Sequence, residues 1–418
     1  MSKPKLLVIG DSPTCATGFG VVTNNVLANI GDKWDVHVLA VNYYGDPHSL
    51  QSRYKLYSPS LGGDVYGFNR LNDLLKGLQP DLIWIINDVW MCAEYIMRIR
   101  KQYNGPITVY TPVDSPGIKP QFVQPLNQAT HVVTYTQWAL DELRKSGLTT
   151  QASVIPHGVN FTHFAPMNKA DARKELYGSL GDKVSVDDMF VVLYVARNQA
   201  RKRVDLYPYI IGEWMKQYPH DNVYFHYHGA VNNDLGWDSD YLAWRYGVDK
   251  RFIVTSRQLT AQNGLPVEKL KYVYNAADVY LQICAVEGWS LPLHEAMACK
   301  IPAIVPDYSA LSDWPRGAVY YTAVDPTPWH NPSNIDTEHR FINIQSAVDA
   351  LEDMYSNPVL RETYAQKAYT HATQSKYMWR NIGASFKEVF NGATNQVLRG
   401  DPELWKKLQP KISLLRDN

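Results

Sequence analysis

The chain is poor in cysteine and carries no surplus of charge of either sign. Cys15, Cys92, Cys284 and Cys299 are its four cysteines, scattered over 418 residues without metal-type spacing. That pattern argues against a disulfide framework and for a reducing compartment. Lys plus Arg and Asp plus Glu each number 41, so net charge pushes the chain toward neither nucleic acid nor an anionic surface. DNA as a partner is therefore not favoured by net charge, although a local basic patch would not show in this sum. No run approaches about 18 unbroken apolar residues, so no transmembrane segment is expected. The opening Met-Ser-Lys-Pro-Lys leads into an apolar run without a signal-peptide core, and a cytoplasmic location is the expectation. A repeat of short period and low-complexity tracts are also missing.

Apolar residues make up 45% of the chain and charged residues 20%, the balance of a globular protein. Its length exceeds one comfortable core, and two domains are expected. Twelve Trp and 28 Tyr supply flat amphipathic surface, most of it destined for cores and interfaces.

Short apolar runs alternate with helical patterns. Strands are predicted at 6–9, 36–41, 82–86, 107–110 and 131–134, with helices at 21–30, 71–78, 91–102 and 138–146. This βαβ rhythm implies a parallel sheet covered on both faces. A short strand ends in the turn Val154-Ile155-Pro156-His157-Gly158-Val159-Asn160, and a polar, poorly patterned linker is expected over 167–187. A second series follows at 190–195, 223–228, 252–255, 279–283 and 303–305. Helices are predicted at 344–355, 360–371 and 378–390, and 402–415 is mixed enough to form a terminal helix. Two doubly wound α/β domains joined near 165 are the economical reading.

Four constellations carry possible chemistry. The run Glu287-Gly288-Trp289-Ser290-Leu291-Pro292-Leu293-His294-Glu295 follows an apolar strand and enters a helix. Glu287 is thus expected at a strand end and Glu295 about a turn inside the helix, where open α/β sheets bind ligands. Second, residues 196–203 read Ala-Arg197-Asn-Gln-Ala-Arg201-Lys202-Arg203. Cations straight after a buried strand, and opposing the dipole of the next helix, suit a diphosphate. Third, Gly18 and Gly20 precede a helix and would let backbone approach a phosphate. A dinucleotide fingerprint fails there, because Thr23 holds the third glycine position and the second strand ends in Asn42. A plain turn explains these glycines about as well. Fourth, Asn87 and Asp88 end a strand of the first series, where position alone makes them candidates.

Metal chemistry is poorly supported. Asp238-Ser239-Asp240 lies in a polar stretch, 232–240, away from a clear strand end, and His226 and His228 lack a third ligand nearby. A hydrolytic carboxylate pair stays open: eight residues of helix span about 12 Å, too far for a glycosidase, yet the turn at the strand end shortens that distance.

Together these residues resemble the retaining nucleotide-sugar glycosyltransferases of family four, with their GT-B fold. The run from Glu287 to Glu295 looks like that family's Glu-x7-Glu signature, and 155–160 like its Pro-x-Gly-Val-Asp segment. Arg197 with Lys202 matches its diphosphate pair, and Gly18 to Gly20 its glycine loop. The resemblance implies two Rossmann-like domains facing across a cleft, with a C-terminal helix crossing back to the first. The bounds are an acceptor-side domain at 1–165, a donor domain at 166–376, and returning helices at 377–418. It also implies that Arg197 and Lys202 hold the diphosphate, Glu295 the ribose, and Glu287 the sugar near its reacting carbon. By the same resemblance no metal or other cofactor is needed, and the enzyme is a hexosyl- or pentosyltransferase that retains anomeric configuration.

Three positions depart from the pattern. The family's donor-contacting His is absent from Tyr110-Thr-Pro-Val-Asp114, leaving Asp114 either to share that catalytic role or to cap a turn. Ser290 and Lys300 stand where glycine is usual. Asn87, Asp88 and Asp114 are the acceptor-side candidates; a saccharide, glycolipid or small metabolite is the expected acceptor, with a modified DNA base a minority option. The alternative is a catalytically inactive protein of this fold that binds nucleotide sugars.

Overall fold

The computed structural model describes residues 3–50, 53–59, 61–178, 185–231, 236–259, 264–332 and 334–398. The segment 402–415, expected to be mixed, lies outside them, as do parts of the 167–187 and 232–240 stretches.

The chain divides into two compact units. In the first, seven parallel strands form one sheet: β1 (Lys5–Asp11), β2 (Asp35–Val41), β3 (Tyr54–Tyr57), β4 (Leu82–Ile86), β5 (Ile107–Thr111), β6 (His131–Thr134) and β7 (Ala152–Val154), in the order β3-β2-β1-β4-β5-β6-β7. Its central members are apolar on both faces, with every residue of β4 and β5 buried. That is the signature of a parallel sheet covered by helices. The order reverses between β1 and β4, which makes that pair the switch point of the sheet.

Helices α1 (Gly18–Asn29), α2 (Phe68–Leu78), α3 (Val89–Ile99), α4 (Pro120–Val123) and α5 (Gln137–Lys145) make the crossovers. The chain returns to this unit from Trp379 onward. There α13 (Trp379–Leu398), the last of the helices numbered in chain order, sets Phe386 and Phe390 against Trp84 of β4, at ring separations of 5.4 and 5.7 Å. Gly383 permits its close approach to α1, since a β-carbon there would fall 2.8 Å from the Asn29 carbonyl.

The second unit repeats the plan with six parallel strands: β8 (Phe190–Val195), β9 (Val223–His228), β10 (Phe252–Val254), β11 (Val279–Leu281), β12 (Ala303–Pro306) and β13 (Tyr320–Thr322), ordered β10-β9-β8-β11-β12-β13. Its switch point lies between β8 and β11. The helices are α6 (Lys169–Tyr177), α7 (Leu206–Gln217), α8 (Ser239–Arg245), α9 (Val267–Asn275), α10 (Leu291–Ala298), α11 (Ile344–Ser356) and α12 (Pro358–Ala372), and a small hairpin joins β14 (Trp329–His330) to β15 (Glu338–His339). Asp278, placed just before β11, ties α6 to the sheet. It accepts from Arg173 and Lys169 at 2.6 Å each and from the Val191 backbone at 2.7 Å.

The structure departs from the sequence-based expectation in several places. The division falls at Gly158 rather than near 165, and the return at Trp379 rather than 377. Residues Pro332–Thr337 group with the first unit, where Lys119 bonds the Asn334 carbonyl at 2.7 Å and the Asp336 carboxylate at 2.5 Å. The stretch expected to be a linker contains α6, whose burial rests on Ala172, Arg173 and Tyr177 rather than on an apolar stripe. Finally β11 stops at Leu281, so Glu287 stands in the loop beyond the strand rather than at its end.

Candidate active site

The cations after β8 and the carboxylate after β11 meet at the switch point of the second sheet. Residues Ala200–Lys202 form a single helical turn. It is anchored where Tyr194 donates to the Lys202 carbonyl at 2.6 Å and where the Ala285 N–H bonds the Arg201 carbonyl at 2.8 Å. These ties bring the turn against the loop carrying Glu287. Only 7% of Glu287 is exposed, and its Oε2 accepts from Lys202 Nζ and, at 3.3 Å, from Arg201 Nη1. Ser309 fixes the backbone at the same point, accepting from the Glu287 N–H at 3.1 Å and donating to its carbonyl at 3.2 Å. Burial by itself would raise the Glu287 pKa. The Lys202 ammonium and then the Arg201 guanidinium outweigh it and hold the group below the ordinary carboxylate range.

Arg197 is exposed, between the end of β8 and the turn that carries Lys202. Arg203 has a separate role: it grips Asp205 through two bonds of 3.0 and 2.8 Å and lies over the Phe341 ring at 4.1 Å. The four cations that look equivalent in sequence are thus divided in space. Arg201, unassigned by sequence reasoning, is a partner of Glu287.

Glu295 sits in α10, half-buried, and accepts from Tyr274 Oη at 2.5 Å. Burial pushes its pKa up to about 7, against the lowering effect of that bond. The two glutamates therefore differ in kind, one held ionised by cations and one poised near neutrality.

Ser290 and Lys300 both adopt the left-handed conformation that glycine favours. Ser290 caps α10 at φ 70°, accepting weakly from the Leu293 N–H at 3.4 Å and donating to Gln282 Oε1 at 3.3 Å. Lys300 has φ 62° just past the C-cap Cys299. The bonds from the Ile301 N–H to the Ala296 carbonyl and from the Lys300 N–H to the Met297 carbonyl, both 3.0 Å, complete a Schellman motif around it.

In the first unit the glycine loop joins β1 to α1. Thr17 caps the helix, accepting from the Gly20 N–H at 3.0 Å while donating to Asp11 Oδ2 at 2.5 Å. A β-carbon on Gly20 would lie 2.5 Å from the Cys15 carbonyl, so only glycine lets the loop fold this tightly. Gly18 opens the helix and is exposed. Packing of the loop explains Gly20 without a ligand.

Asn87 and Asp88 follow β4 and Asp114 follows β5, on neighbouring strands. Asn87 Oδ1 accepts from the Asp88 N–H at 2.9 Å. Tyr135, directly after β6, carries its phenol far above the usual range through burial, then the neighbouring Tyr110, then the charges of Asp88 and Asp114. The segment 155–160 contains buried His157, whose Nδ1 shares a 2.8 Å bond with Tyr110 and whose ring lies 4.0 Å from that of Tyr135.

The residues weighed for metal binding have other partners. Asp238 caps α8 and Asp240 takes Arg257 through two bonds of 3.0 Å. His226 and His228 both bond Thr255 Oγ1, at 2.7 and 2.9 Å.

Residues 189–325 match the family model described as Glycosyl transferases group 1. No curated protein matches the sequence. Solved structures resemble nearly the whole chain at low identity. Sucrose-phosphate synthase from Thermosynechococcus elongatus is 18% identical with a TM-score of 0.71, covering 94% of this chain and 99% of that one. HepE from Anabaena, solved in complex with UDP-glucose, is 14% identical with a TM-score of 0.67, over 93% of this chain and 99% of that one. WaaG, a glycosyltransferase involved in lipopolysaccharide biosynthesis, is 13% identical with a TM-score of 0.65, over 92% and 99%. Two parallel-sheet, Rossmann-like domains of the GT-B glycosyltransferase type are therefore the fold of this chain.

Proposed function

We propose that this chain is a retaining, metal-independent glycosyltransferase that moves a sugar from a nucleoside-diphosphate sugar to a hydroxyl-bearing acceptor. One observation carries the reading: Lys202 and Arg201 converge on buried Glu287 at the switch point of the second sheet. Open α/β sheets bind nucleotides at such a point. The match of 189–325 to group 1 glycosyl transferases and the likeness to HepE, solved with UDP-glucose, support the same donor class.

In this reading Arg197 and Lys202 take the diphosphate. Charge grows on the leaving phosphate as the glycosidic bond breaks, and cations already in place lower that barrier. The sugar becomes oxocarbenium-like, and ionised Glu287 stabilises it. Glu295 takes the ribose hydroxyls, with Tyr274 fixing its carboxyl. Gly18 and Gly20, at the start of α1, are candidates for a phosphate contact through their backbone. Asp114 shares the catalytic work in place of the absent histidine, with Asn87 and Asp88 beside it on the acceptor side.

The test is product analysis with matched donors. Transfer from one UDP-, GDP- or ADP-sugar with the anomeric configuration kept, undiminished by chelator, supports the reading. Tight nucleotide binding without turnover of any donor would make the chain a binding protein instead.

A further inference from the structure

Lys202 cannot serve Glu287 and a diphosphate equally, and this conflict gives Arg201 a task. The reasoning rests on the diphosphate site proposed above. Glu287 is almost wholly buried, and both cations meet the same oxygen, Oε2. A buried carboxylate stripped of its partner is strongly disfavoured and takes up a proton instead. A bound diphosphate brings several negative oxygens to the turn at 200–202, and the flexible lysine stem is free to swing its point charge toward them.

Arg201 is held differently. Its carbonyl is tied to the Ala285 N–H at 2.8 Å, and its Nη1 lies 3.5 Å from the Val286 carbonyl as well as 3.3 Å from Glu287. Backbone and side chain are thus both fastened to the loop that carries Glu287. We infer that Arg201 is a positioning residue, which keeps the Glu287 carboxylate charged and in place when Lys202 turns to the donor diphosphate.

Among the described residues, the other groups that feel the Glu287 charge or bond its backbone cannot take over that task. Tyr194 on β8 and Tyr280 on β11 feel its charge, and burial raises both phenols well above 10, so they stay neutral. Cys284, which precedes Glu287 in the same loop, is pushed up to about 12, chiefly by burial and then by Glu287 itself. Ser309 bonds only the Glu287 backbone. His339 faces Arg201, but burial first and Arg201 second lower it to about 4, so it is uncharged at neutral pH.

The experiment follows the Glu287 carboxyl by 13C NMR in protein labelled at glutamate, with E287Q assigning the signal. Lys202→Ala imitates withdrawal of the lysine without any ligand. Its Glu287 midpoint is expected to stay below neutral, while in the R201A/K202A double variant it rises by at least about one pH unit. R201K/K202A is expected to restore the lower value. Should the double alanine variant fail to fold, R201Q/K202A keeps an uncharged donor and is read the same way. Equal midpoints in K202A and R201A/K202A would overturn the inference.

A second arm adds inorganic pyrophosphate, which is independent of the nucleotide base. Binding is expected to raise the wild-type midpoint modestly and that of R201A by at least about one further unit. A tenfold loss of pyrophosphate affinity in R201A with an unmoved Glu287 would make Arg201 a phosphate ligand and overturn the assignment. Pyrophosphate that fails to bind the wild type would count against the diphosphate site, while the ligand-free comparison still decides whether Arg201 holds Glu287.

Discussion

Lys202 and Glu287, 85 residues apart in sequence, form a buried ion pair at the switch point of the second sheet. The pair exists because strand order places β8 beside β11, so the loops after those two strands share one end of the sheet. Its first consequence is a split between binding and turnover. Lys202→Ala is expected to weaken donor binding by about tenfold or more, the scale of one charge-assisted contact. Glu287→Gln is expected to depress kcat far more than nucleotide affinity. Steady-state kinetics alongside calorimetric titration of the nucleotide check both; full activity in Glu287→Gln would remove that residue from the chemistry.

Glu295 makes stability depend on pH. Its folded pKa of about 7 lies above its ordinary value of 4.5. The protonated form is therefore favoured by the fold, and the resulting stability is complete below about 4.5. It is lost as pH rises through 7, by about 3 kcal/mol in total. Glu295→Gln should remove this slope, so that wild type and variant diverge in urea melts between pH 5 and 8, with wild type falling. Parallel profiles would show that Glu295 titrates normally.

Lys300 marks a stability reserve. A side chain in the left-handed conformation costs about 1 kcal/mol or more, and its ion pair with Glu362 is exposed and worth little. Lys300→Gly is expected to stabilise the second unit by about 0.5–1 kcal/mol, seen as a higher urea midpoint. A lower midpoint would mean that the Glu362 contact matters more than backbone strain.

Asp278 holds α6 on the sheet through Arg173, Lys169 and the Val191 N–H. Asp278→Ala leaves Arg173 buried without its carboxylate, at a cost of about 3–5 kcal/mol. Thermal melts and hydrogen exchange over Lys169–Tyr177 and at Val191 check this, with faster exchange expected there first. A loss below about 1 kcal/mol would place the helix under other control.

Much of the fold was legible because parallel strands buried on both faces read as unbroken apolar runs. Residues 82–86 and 190–195 coincide with β4 and β8 for that reason. The edge strands β3 and β13 are not legible in this way, because Tyr-Lys-Leu-Tyr and Tyr-Tyr-Thr are short and lack a β-branched run. Helix α6 was hidden because a buried arginine, not an apolar stripe, docks it. At the site, residue types suggested a diphosphate, but no local spacing tells which of Arg197, Arg201, Lys202 and Arg203 faces a carboxylate distant in sequence. Ser290 and Lys300 stood out as departures from glycine, and only backbone angles explain why glycine suits those places.

The most direct test of the central claim is a turnover assay of the purified chain against UDP-, GDP- and ADP-sugars with a panel of hydroxyl acceptors. Donor hydrolysis is followed in the same reactions. The account predicts release of one nucleoside diphosphate, transfer or slow hydrolysis of its sugar, and loss of both in Lys202→Ala and Glu287→Gln. Release that is unaffected by either substitution would contradict it.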